Sequence, residues 1–145
     1  MRYLELVEAV AIIDEMRLHV KDLTLIHSAL GRPAASMFGV EQYPDLLDKA
    51  AALLHSLVNN HPMVDGNKRV AWVLTSTFLQ LNGCTYLNPD PVQVYEFLVT
   101  EVAGNDSIGI PEISVQLAEW FQTPPVLNRR GRPASAQPTP PAPPR

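Results

Sequence analysis

The stretch HPMVDGNKR, residues 61–69, lies between two helical patterns and decides how the rest of the chain is organised. We call it the motif loop. A loop that ends on a helix N-terminus offers free backbone N–H groups and the positive end of the helix dipole, where phosphate binds. Gly66 can take the positive-φ turn that brings the backbone against an anion. The motif loop is therefore interpreted as a phosphate-handling site.

The side chains of the motif loop suit the same chemistry. Lys68 and Arg69 supply positive charge, Asp65 can hold a divalent cation on phosphate oxygens, and His61 is a candidate base. Each residue alone has a structural alternative. Asp65 can be a helix N-cap, Arg69 a tie between helices, and His61 a surface residue at a helix end. Their occurrence together in nine residues favours the functional interpretation.

Apolar residues recur with helical spacing on both sides of the motif loop. In the helix predicted after Asp90, apolar residues lie on nearly all faces, which predicts a central buried helix. Gly31 is predicted to end the second helix as a left-handed residue, and residues 34–43 are predicted to form an ordered loop, a flap over the site. Helices are predicted at about 4–18, 22–30, 44–60, 67–82, 91–103 and after Pro111. The fold class is an all-α, single-domain bundle of about six helices.

The charge is distributed unevenly along the 145 residues. Residues 1–123 carry 7 Lys+Arg and 15 Asp+Glu, whereas residues 124–145 carry four Arg, no acid and 8 of the 14 prolines. We therefore predict a helical domain over 1–123 and a disordered Pro/Arg tail over 124–145. Because duplex binding depends on neutralising phosphates, the acidic body argues against nucleic acid bound by the folded part.

Cysteine content and the N-terminal pattern bear on the compartment. Cys84 is the only cysteine, so no internal disulfide can form and a reducing compartment is expected. Glu5 and Glu8 lie inside the first apolar pattern and exclude a secretory signal. No apolar run approaches the roughly 20 residues of a membrane helix. We expect a cytoplasmic protein without a membrane partner.

Three segments together resemble the Fic/Doc family, and more narrowly its death-on-curing (Doc) toxin branch. They are LIHSALGRP at 25–33, the pattern YPDL and KAAALLHSL at 43–46 and 49–57, and the motif loop. The resemblance covers residues 3 to about 121. Lys68 stands where the AMP-transferring members of the family have a second glycine, and this matches the Doc branch.

The resemblance implies a toxin of a toxin–antitoxin system. The implied activity is that of a protein kinase, which uses Mg²⁺ to transfer the γ-phosphate of ATP to a Ser or Thr hydroxyl of a translation factor. The implied substrate is elongation factor Tu, whose modification arrests translation, and the implied partner is a Phd-like antitoxin. The implied residue roles are a base at His61, a Mg²⁺ ligand at Asp65, phosphate binding at Gly66, phosphate or loop orientation at Asn67, and phosphate binding with charge stabilisation at Lys68 and Arg69.

Three alternatives stay open at this point. Transfer of AMP or another nucleotidyl group to a protein hydroxyl is one, although Lys68 argues against it. A degenerate, non-catalytic binding module is the second, and Met63 slightly favours it because the family usually has Phe there. A ribonuclease toxin is the third, and the acidic body disfavours it. Met63 fills a pocket less rigidly than Phe, so reduced order of the motif loop is expected.

Overall fold

In the computed structural model, which describes residues 1–104 and 108–125, the chain forms six α-helices and two short antiparallel β-ladders. The prediction of an all-α fold of about six helices is confirmed. The helices are Leu6–Glu15 (α1), Leu23–Gly31 (α2), Leu46–Asn60 (α3), Asn67–Leu81 (α4), Pro91–Phe97 (α5) and Ile110–Trp120 (α6). The strands are Ser36–Met37 (β1), Val40–Glu41 (β2), Thr85–Tyr86 (β3) and Phe121–Gln122 (β4). A 3₁₀ turn at Arg32–Ala34 follows α2, and a π-helical turn at Leu98–Val102 follows α5.

Helix α3 is the centre of the bundle. Nine of its residues are buried, and it packs against α2, α4, α6 and the 3₁₀ turn. Ala50, Ala51 and Ala52 are fully buried, and their small side chains let neighbouring helices approach on more than one side. Leu53 and Leu57 fill the remaining space. The helix that leads into the motif loop is therefore fixed from nearly all directions.

The prediction that the helix after Asp90 is central was wrong. Val92 and Tyr95 of α5 are 60% and 63% exposed, while Val94 and Phe97 are buried. One side of α5 faces the core and the other faces solvent. An apolar residue on a surface helix is common, so composition alone could not separate a central helix from a peripheral one.

Two helix ends also differ from prediction. Helix α1 ends at Glu15 instead of continuing to residue 18, because Arg17 has φ 59° and leaves the helical region. Gly31 does not end α2 in a left-handed conformation: its φ is −79°, and the chain continues into the 3₁₀ turn. Residues 16–22 between α1 and α2, which we call the linker, run beside the motif loop.

Residues 36–41 form a β-hairpin where the sequence predicted an ordered loop. Ser36 pairs with Glu41 and Met37 with Val40, and the two-residue turn between them has positive φ at both positions. This is the turn geometry that matches the twist of two antiparallel strands. All six residues of the hairpin are exposed.

The C-terminal part of the described chain closes the core. Trp120 and Phe121 are buried and pack against Trp72, with ring centroids 5.7 and 5.8 Å away. The prediction that Trp120 belongs to the core is confirmed. The predicted tail lies outside the described residues from 126 onward. Within residues 1–104 and 108–125, every helix is too short or too polar to span a membrane.

Candidate active site

The candidate base, His61, lies immediately after the last residue of α3. Its backbone is left-handed, with φ 51° and ψ 56°, and the residue is exposed. His is among the non-glycine residues that tolerate this region best. The left-handed turn directs the chain away from the helix axis, and Pro62 then disfavours any return to helix. The imidazole is thus carried at the end of α3, which has more buried residues than any other described helix.

Backbone hydrogen bonds hold the motif loop against the linker. The carbonyl of Pro62 accepts from the N–H groups of Lys21 and Asp22 at 2.8 and 3.0 Å. The N–H of Val64 donates to the carbonyl of His19 at 3.1 Å. Because these bonds involve only main-chain atoms, the position of the loop depends on the path of the linker more than on its side chains.

Asn67 ties the motif loop to the start of α4. Its Oδ1 accepts from the N–H of Met63 at 2.9 Å, and its Nδ2 donates to the Met63 carbonyl at 3.3 Å. Met63 is buried and pairs with Val20 of the linker. Of the two roles considered for Asn67, orienting the loop is therefore the one that these hydrogen bonds support.

Gly66 has a left-handed backbone, which glycine adopts more readily than other residues. Its φ is +77°, and a Cβ placed there would lie 2.8 Å from Cδ1 of Leu18. The N–H of Gly66 donates to Oδ1 of Asp65 at 2.8 Å. The exposed carboxylate of Asp65 is therefore oriented at the edge of the loop, beside the first turn of α4.

The first turn of α4 has the features of an anion site. Among the described residues, no acceptor pairs with the backbone N–H groups of Asn67, Lys68 and Arg69, and no ion pair involves Lys68 or Arg69. The Nη2 atom of Arg69 lies 3.3 Å from the Cβ position built on Gly66, so the guanidinium covers the glycine. Free amides, the helix dipole and two cations together favour a bound anion.

These groups surround one cavity, which we call the phosphate cavity. It has a volume of about 350 Å³ and is lined by residues 64–69 and Tyr95. Asp65, Gly66, Lys68 and Arg69 are thereby brought together, whereas His61 is not among the lining residues. Tyr95 was missed as a site residue because the sequence placed its helix in the core. The helical spacing of the buried Val94 and Phe97 was the available signal, since it leaves Tyr95 on another face.

A second cavity adjoins the first, and we call it the apolar cavity. Its volume is about 280 Å³, and it shares Lys68, Arg69 and Tyr95 with the phosphate cavity. The rest of its wall is mainly apolar and aromatic, and includes Trp72, Tyr86, Val94 and Leu98. The paired cavities can accommodate a ligand with one charged end and one flat apolar end.

Asp65 is the one carboxylate in the phosphate cavity. In residues 1–104 and 108–125, no group of three or more His, Cys, Asp or Glu side chains could hold a metal ion by itself. Mg²⁺ is commonly bound by one or two carboxylates together with substrate phosphates and waters. The single carboxylate of Asp65 therefore fits a metal that arrives with a phosphate ligand.

Comparison with known proteins finds a family match that spans the motif loop. A model of the Fic/DOC family matches residues 4–79, which include the motif loop and most of α4. The chain is also similar to a protein of Mycolicibacterium smegmatis named Toxin Doc. The two are 46% identical over 101 residues, covering 70% of this chain and 77% of that protein.

Proposed function

This chain belongs to the Fic/Doc family, and from that premise we propose that it is a Doc-like toxin of a toxin–antitoxin system. Its proposed activity is transfer of the γ-phosphate of ATP to a Ser or Thr hydroxyl of a translation factor. The observation that carries this proposal is Lys68 in the first turn of α4, on the wall of the phosphate cavity. A lysine there adds a charged side chain where a second glycine would leave only backbone.

The phosphate groups of the donor are proposed to bind at the N-terminus of α4. The backbone N–H groups of Asn67, Lys68 and Arg69, which have no acceptor in the described part of the chain, can donate to phosphate oxygens, while Lys68 and Arg69 neutralise their charge. Stabilising the charge that develops during transfer is the main contribution that a protein makes to phosphoryl transfer. Asp65 would hold Mg²⁺, which when bound neutralises phosphate oxygens.

The apolar cavity is proposed to take the base of the nucleotide. Trp72 and Tyr86 offer flat aromatic surface, and Val94 and Leu98 complete an apolar wall that suits a purine ring. The direct contact between the two cavities also favours a second candidate function, transfer of a nucleotidyl group. In that reaction the α-phosphate, which is closest to the nucleoside, would lie at the motif loop.

His61 is proposed to accept the proton of the target hydroxyl. It is the exposed first residue of the motif loop, so a protein substrate can reach it without any opening of the core. General base catalysis contributes about 10² to 10⁴ in rate. Because α3 is buried along most of its length, the imidazole is carried by an element that moves little.

The hairpin is proposed to contact the protein substrate, for which elongation factor Tu is our candidate. Phe38 at its tip is 98% exposed, and Met37 and Val40 are also exposed. The outer backbone groups of a two-stranded ladder can pair with an extended segment of another protein. A Phd-like antitoxin is the proposed inhibitory partner.

Transfer of label from ATP to elongation factor Tu tests this function. Purified protein is incubated with γ-labelled or α-labelled ATP and Mg²⁺, with a His61→Ala variant as the control. Label from the γ position alone, absent with the variant, is the expected result. Label from the α position would establish nucleotidyl transfer instead, and the absence of label from either position would contradict both functions for this substrate.

A further inference from the structure

Lys49 is a buried lysine in the second turn of α3. It is 1% exposed, and its ammonium donates to the carbonyl of Pro33 at 3.1 Å and to Oε1 of Glu41 at 3.0 Å. Burial disfavours the charged ammonium, but Glu41 and Tyr3 outweigh this effect and raise the pKa of Lys49. A buried ammonium that loses its carboxylate is costly. The side chain of Glu41 is about half exposed, and Glu41 is the last residue of the hairpin.

Arg32, in the 3₁₀ turn after α2, also connects α3 to the region of the hairpin. The guanidinium of Arg32 donates from Nη1 to the hydroxyl of Ser56 on α3, at 2.8 Å. From Nη2 it donates to the hydroxyl of Tyr43 at 2.6 Å, and it also lies over the Tyr43 ring. Tyr43 lies two residues after the end of the hairpin. Arg32 therefore joins α3 to the segment through which the chain leaves the hairpin.

The hairpin has few other means of attachment. None of its residues is buried, so apolar packing contributes little to its position. Its own ladder, extended by the bond from the Gln42 N–H to the Ala35 carbonyl at 2.9 Å, defines its shape but not its placement on the bundle. Among the hydrogen bonds of the described residues, that of Lys49 to Glu41 connects the hairpin to α3 directly, and those of Arg32 connect α3 to Tyr43 just after the hairpin.

We propose that Lys49 and Arg32 are positioning residues that fix the hairpin on α3 and so determine how a protein substrate is presented to His61. This inference rests on the proposed function. Ser56, the α3 partner of Arg32, lies five residues before His61, about 7.5 Å along the helix axis. Helix α3 thus carries Lys49 and Ser56, the partner of Arg32, and ends at the candidate base, while the phosphate cavity lies beyond its end.

Removing both charges of the Lys49–Glu41 pair tests the proposal. Removing Glu41 alone would leave the buried ammonium of Lys49 without its carboxylate and cost stability, so the test variant is Lys49→Met combined with Glu41→Gln. Loss of the anchor should speed amide hydrogen exchange at Met37, Val40 and Gln42. It should also raise KM for elongation factor Tu roughly tenfold, the equivalent of one charged hydrogen bond. Affinity for Mg-ATP and kcat should stay unchanged.

The matched control is Glu8→Gln, which breaks the surface ion pair of Glu8 with Arg2, a pair that shares no residue with the Lys49 and Arg32 contacts. Unchanged hairpin exchange in the double variant would overturn the proposal, as would faster exchange with an unchanged KM. If the wild-type protein transfers no label to elongation factor Tu, the proposed kinase substrate fails separately. In that case the expression level needed for growth arrest is measured in place of KM. If the double variant arrests growth at the same expression level as the wild type, the proposal is overturned.

Discussion

The motif loop and the hairpin both lie beside α3, yet different interactions hold them. The motif loop is fixed by main-chain hydrogen bonds between the linker and the backbone of Pro62 and Val64, and by the bonds between Asn67 and Met63. The hairpin is connected to α3 by the charged side chains of Lys49 and Arg32. Because main-chain hydrogen bonds hold the motif loop, its side chains are available for chemistry. The hairpin is held by charged side chains, so a single substitution can change its position.

This difference separates the effects expected from mutation. In the motif loop, exchanging an exposed side chain should remove a chemical step and leave the fold intact. At the hairpin, exchanging an anchor should change the binding of a protein substrate and leave nucleotide binding intact. A third kind of substitution adds a side chain at a glycine of the motif loop. There we expect even a methyl group to disturb the backbone conformation of the loop.

The largest effect is expected for His61. We expect His61→Ala to lower transfer by about 10² or more, since it removes the candidate base. A second variant, His61→Asn, keeps a residue that tolerates the left-handed backbone and also lacks a suitable base. Both should retain the wild-type melting temperature within a few degrees, as measured by circular dichroism. Growth arrest by either variant at wild-type expression would contradict a role for His61 as base.

An intermediate effect is expected for Gly66. A left-handed backbone costs an ordinary residue roughly 1–2 kcal/mol, and the new Cβ would also meet Leu18 at 2.8 Å. Gly66→Ala should therefore lower both the melting temperature and the affinity for Mg-ATP, measured by calorimetry. Gly31→Ala is the control, because Gly31 is helical and no atom lies within 4 Å of its added Cβ. Equal melting temperatures of the two variants would contradict the claim that the backbone at position 66 requires glycine.

Much of this arrangement could be predicted from the sequence, because strong local signals define it. Helix α3 ends at Asn60 as predicted, where Pro62 restricts the residue before it. Helix α4 begins at Asn67 as predicted, and Gly83 follows it with φ 88°. The charged groups of the phosphate cavity come from consecutive residues, so no knowledge of tertiary packing was needed to find them.

The features that were missed depend on packing between distant segments. The hairpin turn at Phe38 and Gly39 has positive φ at a phenylalanine, which sequence propensities do not indicate. Lysine is almost never fully buried, so local pattern offered no reason to place Lys49 in the core. Its partners Pro33 and Glu41 lie 16 and 8 residues away and become neighbours only in the fold.

The smallest effect is expected on the pH dependence of stability and concerns His55. This residue comes just before Ser56, the residue of α3 that Arg32 contacts. Burial, together with the charge of Arg32, lowers the pKa of His55 below its ordinary 6.5. The unfolded chain then binds a proton more readily than the folded one, so stability should fall as pH drops below about 6.5. The melting temperature of His55→Gln should change less between pH 7.5 and 5.5 than that of the wild type. The exposed His27→Gln serves as control, and identical pH profiles of all three proteins would contradict this linkage.

The most direct test of the central claim is an amide NMR titration of ¹⁵N-labelled protein with Mg-ATP. The backbone N–H groups of Asn67, Lys68 and Arg69 have no partner within the described residues, so a bound phosphate must alter their environment. We predict large shifts for these three amides and small ones for Met37 and Val40 in the hairpin. Saturating Mg-ATP that leaves the three amides unshifted would contradict the assignment of the motif loop as a nucleotide phosphate site.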